Sequence, residues 1–194
     1  MKLSIGPQTL VYPMPAFLIG TYDAGGKPNI MTAAWGGICC SEPPMLAVSV
    51  RKPRWTYEAV LQRKAFTISI PPVRLAAETD YAGIVSGRRV DKFARLGLTP
   101  VRSDLVDAPY VAECPVTLEL TLAHSLELGT HVQFIGEIRD VKVDEACLDA
   151  EGKPDTAKID PLVFDGGGRV YAALGKEICK AFSAGKAFIK HGDE

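Results

Sequence analysis

Asn29, Thr32 and Trp35 fall together in the stretch N-I-M-T-A-A-W, and their types define the first chemistry to consider. An amide and a hydroxyl can hydrogen-bond the polar edge of a ligand. An indole can pack on a flat ring. Gly36 and Gly37 follow directly, where backbone can come close to something bulky. After the Pro43-Pro44 corner comes a short apolar run over residues 45–50 that contains Ser49. The stretch reads as a clamp for a flat, polar-edged molecule.

The chain offers little covalent chemistry of its own. G-x-S-x-G, H-E-x-x-H, the P-loop pattern and G-x-G-x-x-G are all absent. The three histidines lie far apart and show no metal-ligand spacing. The five cysteines form no C-x-x-C pair, and Cys39 and Cys40 are adjacent. Vicinal cysteines close a disulfide only under strain, so the pair reads as packing rather than as a redox couple. Such a chain is expected to borrow its chemistry from a cofactor.

Bulk properties narrow the class. At 194 residues, with 47% hydrophobic and 23% charged residues, the chain reads as one domain over 1–194 with a sizeable core. A net charge of −1 gives no general attraction to nucleic acid or to an anionic membrane. The N-terminal MKLSIGPQTL lacks the apolar region of a signal peptide, and no run reaches the length of a membrane span. A cytoplasmic location is therefore expected, with neither nucleic acid nor membrane as partner.

The elements that must position these residues follow from pattern. Residues 17–22 and 30–35 read as a hairpin around the turn Asp23-Ala24-Gly25-Gly26-Lys27-Pro28. Residues 10–12 read as a short strand stopped by Pro13. Residues 45–50 and 65–70 are apolar runs of the buried-strand kind. Thr56 is placed to cap a helix through about Lys64. Val73, Ala76, Ala77, Tyr81 and Ile84 predict the buried face of a helix over 73–85. Residues 86–89 form a turn, 91–96 a short helix, and 99–109 a polar connector. Val116, Leu118, Leu120 and Leu122 alternate with polar residues, as in a half-buried strand. A change of parity between Ile138 and Val141 predicts a β-bulge near Arg139-Asp140. Residues 150–161 read as a surface loop, 162–164 as a strand edge, and 176–184 as helical. The sum is a mainly β fold, a barrel with peripheral helices.

An ordered set of short motifs then resembles the flavin reductase-like family with the FMN-binding split β-barrel. It runs through P-A-F-L-I-G-T-Y-D, N-I-M-T-A-A-W, E-P-P-M-L-A-V-S-V and R-W-T-Y. It continues through S-G-R-R-V-D-K-F, H-V-Q-F-I-G-E-I and P-L-V-F-D-G-G-G-R-V-Y, covering nearly the whole chain in order. The resemblance implies a homodimer with FMN bound near the subunit interface. It carries over Asn29, Trp35, Thr56, Lys92, His131 and Phe164 as FMN contacts, and Phe164 can come from either subunit. Residue chemistry adds to the set. Arg51, Arg54 and Lys92 suit a phosphate dianion, and Thr56 at a helix start adds a hydroxyl and free N–H groups. Ser86, Gly87 and Arg88 are further candidates at the phosphate or ring edge. The backbone of Thr32, Ala33, Ala34 and Trp35 suits the pyrimidine edge of the ring, and Ser49 and Val50 the ribityl chain.

Each of these residues also has a plain structural reading. Trp35 on a hairpin is core, Thr56 a simple cap, Asn29 a turn residue, Lys92 and Arg88 solvated charges, His131 a strand-end histidine and Phe164 a barrel plug. Three functions remain open. One is an oxidoreductase that reduces flavin with NAD(P)H. Another is an electron carrier served by a protein donor. The third is a non-catalytic flavin- or haem-binding module.

Overall fold

The computed structural model describes residues 1–189. The first strands are Met14–Pro15 (β1), Phe17–Tyr22 (β2) and Pro28–Ala33 (β3). β2 and β3 form the expected hairpin, closed by the Asp23 and Lys27 backbones and by Gly26 at φ +84°. β3 ends at Ala33, before Trp35, because Ala34 and Trp35 cross over to the next strand. That strand, Gly36–Ser41 (β4), stands where the sequence showed only a glycine pair. It pairs with Pro44–Arg51 (β5), and a side chain at Gly36 would meet the Ala47 carbonyl at 2.7 Å. Residues 10–12 form no strand and are exposed.

Trp55–Arg63 (α1) is capped by the Arg54 backbone with no side-chain hydrogen bond. Thr56 therefore lies inside the first turn, buried, and is not the cap. Ala65–Ile70 (β6) follows, then a 3₁₀ turn and Ala76–Ile84 (α2). The buried side of this segment is Leu75, Thr79 and Ala82, not the larger residues of the predicted stripe, and Ile84 is exposed. Small residues let α2 sit close on β3, where the Thr32 hydroxyl donates to the Thr79 carbonyl. Lys92–Leu96 (α3) is capped by Asp91, whose carboxylate accepts from the Ala94 N–H at 3.1 Å.

The polar connector hides a hairpin, Pro100–Arg102 (β7) with Pro109–Val111 (β8). Val116–Leu128 (β9) and Val143 back to His131 (β10) form a long antiparallel pair. Its register shifts at Ile138/Asp140, where the bulge was expected, and again at Ile135/Gly136. Thr156–Ile159 (α4), capped by Asp155, interrupts the expected loop. Leu162–Asp165 (β11) and Val170–Ala173 (β12) complete the chain's strands among the described residues. Residues 176–184 form no α-helix, and Ile178 and Phe182 there are exposed. Among the described residues their apolar spacing finds no surface to pack on.

Seven strands form one antiparallel sheet in the order β3-β2-β6-β9-β10-β5-β4, and β1-β11-β12 form a smaller one. Ile19, Met31, Val48, Phe66, Leu120 and Phe134 come from six of the seven strands yet form one buried cluster. A sheet whose inner face meets itself in this way is a barrel. No helix among the described residues is long and apolar enough to cross a membrane.

Candidate functional site

A groove runs along the barrel rim between the β3–β4 crossover, the start of α1 and the end of α2. Its narrow end, about 70 Å³, is lined by Asn29, Arg54, Thr56, Ser86, Gly87 and Lys92. Lys92 is buried at 3% exposure, so it is not the solvated charge of the plain reading. Its ammonium donates to the carbonyls of Ile30 at 2.8 Å and Ala82 at 2.6 Å. An ammonium has three donors, so one is left for a ligand. Burial, then the neighbouring Arg54 guanidinium, push Lys92 down to about 8. Arg54 reaches across the groove and donates to the Gly83 carbonyl at 3.1 Å. Among the described residues neither cation has a carboxylate within ion-pair distance. Two close, uncompensated cations are a seat for an anion.

Asn29 stands beside them at 4% exposure, and its amide nitrogen has no hydrogen-bond partner. A buried donor without an acceptor in the chain itself is free to serve a bound group. Gly87 packs against this side chain so tightly that a Cβ would collide with the Asn29 amide. Arg88 turns away and pairs with Glu58 at 2.7 Å, so the structure does not bring it to the groove.

Met31 and Arg54 also line the wide end, about 240 Å³, which the backbone of residues 32–35 borders. Ser49, Val50, Arg51 and His131 form its other wall. Trp35 is 41% exposed, so it is not core. Its carbonyl accepts from the Ser49 N–H at 2.8 Å, which pins the crossover to β5. Its ring lies against His131, centroids 4.6 Å apart and planes at 33°. His131 contacts the Thr130 hydroxyl through Nδ1 at 2.9 Å. Burial, then Arg51, hold the imidazole below its ordinary value.

A third cavity of about 490 Å³ adjoins this end and shares Thr32, Ala34 and Trp35 with it. Phe164 lies here, and not in the wall formed by His131 and Ser49. Asp80, Arg169 and Tyr171 line the same cavity. The sequence reading missed them, although Arg169 and Tyr171 stand in the last of its motifs. Cys39 is exposed and Cys40 half-buried on β4, so the packing reading fails for Cys39. Neither lines the groove. Among the described residues no three His, Cys, Asp or Glu side chains cluster as a metal site.

The residues fit a ligand with an anionic end, a hydrogen-bonding stem and a flat ring, which are the parts of FMN. A curled antiparallel sheet with a shared inner core that carries this groove is a split-barrel fold of the flavin reductase-like kind. The chain belongs to that family, matching the flavin reductase like domain over residues 9–173. It is 57% identical to flavoredoxin of Desulfovibrio vulgaris (Miyazaki F), covering 95% of this chain and 100% of that one, with a TM-score of 0.92. Flavoredoxin from Methanosarcina acetivorans is 33% identical over 97% of this chain and 100% of that one, with a TM-score of 0.91. A high molecular weight rubredoxin of Moorella thermoacetica is 35% identical over 53% of this chain and 44% of that one. The family and its flavoredoxin members make this a flavin-binding redox protein.

Proposed function

We propose that the groove holds FMN and that the protein is an oxidoreductase passing electrons through it, with NAD(P)H as the reductant. The observation that carries this reading is the pair Lys92 and Arg54, uncompensated and beside the orphaned Asn29 amide. In this reading Lys92, Arg54, Thr56 and the Ser86-Gly87 turn hold the phosphate. Asn29 and Ser49 meet the ribityl chain. Residues 32–35, Arg51 and His131 border the ring, and Trp35 packs on it. When bound, the flavin supplies the hydride and electron chemistry that the side chains lack. The protein's part is electrostatic. Arg51 and the backbone donors of residues 32–35 favour negative charge at the ring's polar edge, which raises the reduction potential.

We also propose a homodimer. Residues 1–13 and 174–189 lie outside the barrel with apolar side chains in solvent, Phe182 at 98% and Ile178 at 89% exposure. A second copy is the surface that such arms suit.

The visible spectrum of the purified protein tests the flavin directly. Bands near those of free flavin are expected, with restoration by FMN after stripping. A chain that takes up no FMN overturns the reading. Anaerobic NADH or NADPH is expected to bleach the bands. The similarity to flavoredoxin favours a second reading, a carrier between proteins. Bleaching by a reduced iron–sulfur protein but by neither nicotinamide would establish it.

A further inference from the structure

We propose that Thr32 and Gly83 are positioning residues, which together aim the free N–H groups of Ala34 and Trp35 at the polar edge of the flavin ring. The inference rests on the flavin reading and deepens it, because it says what fixes the electrostatics at that edge.

β3 ends at Ala33, and the chain crosses to β4 through Ala34 and Trp35. Among the described residues the N–H groups of Ala34 and Trp35 have no acceptor. Both residues line the wide end of the groove, so the two donors are available to what binds there. Donors stabilise developing charge only when they are held in place beforehand. This crossover is held at both ends. Downstream, the Trp35 carbonyl accepts from the Ser49 N–H at 2.8 Å. Upstream, the Thr32 hydroxyl donates to the Thr79 carbonyl on α2. A hydroxyl has one proton to give, so that of Thr32 is spent on the helix and not on a ligand.

Gly83 makes the upstream tie possible. It stands in the last turn of α2, where alanine is the better helix former, so its place has a packing reason. A Cβ added there would lie 3.2 Å from the Thr32 Cβ and 3.6 Å from its hydroxyl oxygen. The Thr32 Cβ is fixed to its own backbone and cannot rotate away. Alanine at 83 must therefore push α2 and β3 apart and carry the crossover with them. Gly83 lines the neighbouring cavity and not the wide end of the groove. It acts on the groove through the residues it holds, Thr32 by contact and Arg54 through its carbonyl. Arg54 serves the phosphate in this reading, so riboflavin isolates the part played by Thr32.

Three variants of the full chain test this. Thr32→Val keeps the shape and removes the donor, Gly83→Ala keeps the donor and shifts its seat, and Thr32→Ser keeps both. In riboflavin titrations of the stripped protein, Thr32→Val and Gly83→Ala should each weaken binding about threefold to tenfold, the range of one hydrogen bond. Thr32→Ser should stay within about twofold of the parent. The decisive readout is the reduction potential of bound FMN. Reduced flavin carries the charge at this edge, so it should lose about tenfold more affinity than the oxidised form in Thr32→Val and Gly83→Ala. For a two-electron couple that lowers the potential by about 30 mV, with Thr32→Ser at the parent value. Potentials unchanged in Thr32→Val and Gly83→Ala overturn the proposal and leave the pair a packing role only. A loss in Thr32→Val with Gly83→Ala at the parent value also overturns it, since that pattern marks direct contact of the hydroxyl with the ring. A parent chain that takes up neither flavin sinks the flavin reading and the proposal together, whereas a flavin-binding parent matched by its variants sinks the proposal alone.

Discussion

At the scale of the residue, Lys92 carries the sharpest consequences. It gives one spare donor and one charge to the narrow end of the groove, where only a phosphate can use them. Lys92→Met is expected to weaken FMN about tenfold to a hundredfold, the range for a charged hydrogen bond, and riboflavin less than about twofold. Fluorescence titration with the two flavins reads the difference, and equal losses would show that Lys92 serves the ring or stem instead. The pH dependence follows from the value near 8. FMN carries its full phosphate charge from pH 7 upward. Its affinity should hold from pH 7 to 8 and then fall by up to about tenfold per unit as Lys92 loses its proton, while riboflavin stays level. The stability of the flavin-free protein runs the other way. The folded value lies below the unfolded one, so the unfolded chain holds more protons between the two. The unfolding free energy should therefore rise from about pH 8 to 10.5, by on the order of 3 kcal/mol. Denaturant melts of the parent and of Lys92→Met check this, since the variant should lack the rise.

At the scale of the element, the bulged strand β10 sets the shape of the barrel. Gly136 sits at one register shift, and a Cβ there would meet Phe66 at 2.7 Å and Leu120 at 2.9 Å, both in the core. Gly136→Ala should cost about 1–3 kcal/mol by overpacking. For a chain of this size that lowers the melting temperature by roughly 3–10 °C. Gly37→Ala, with open space at its Cβ, should stay within about 1 kcal/mol of the parent. A scan of both variants by calorimetry decides whether packing at the bulge is the cause. Elements with large apolar alternation were legible in the sequence, and β2 and β6 match their expected bounds. The short helix before Gly97 and the bulge after Ile138 were legible too, because each has a local signature, although Asp91 caps that helix rather than opening it. β4 was not, since two glycines and two cysteines carry no strand pattern, and its place is fixed by pairing with β5. The face of α2 was misread because hydrophobic spacing rewards Ile84 and Tyr81, whereas close approach to β3 selects Thr79 and Ala82. In the site, Asn29 and Trp35 could be chosen for their types. Asp80 could not, because nothing local in the sequence joins α2 to β12.

At the scale of the whole molecule, the arms are the unfinished part of the fold. Phe182, Ile178 and Phe188 are exposed at 98%, 89% and 85%, and the N-terminal Val11 and Tyr12 are also open to solvent. Burying a side chain of this kind gains about 1.5–3 kcal/mol. Association costs roughly 4–15 kcal/mol in lost freedom. A two-fold pair doubles every such contact, so reciprocal arms can bring the gain level with or above that cost, where one arm alone cannot. The full chain, 20.9 kDa as a monomer, is therefore expected to sediment at twice that mass. Deleting residues 175–194 removes the C-terminal arm and leaves the strands intact, so the far-ultraviolet spectrum should keep its β character while the sedimenting mass falls toward the monomer. The third cavity is lined in part by Met14 and Thr9, at the base of the N-terminal arm, next to the surface the partner would cover. A deleted chain that stays dimeric would place the subunit contact on the barrel itself.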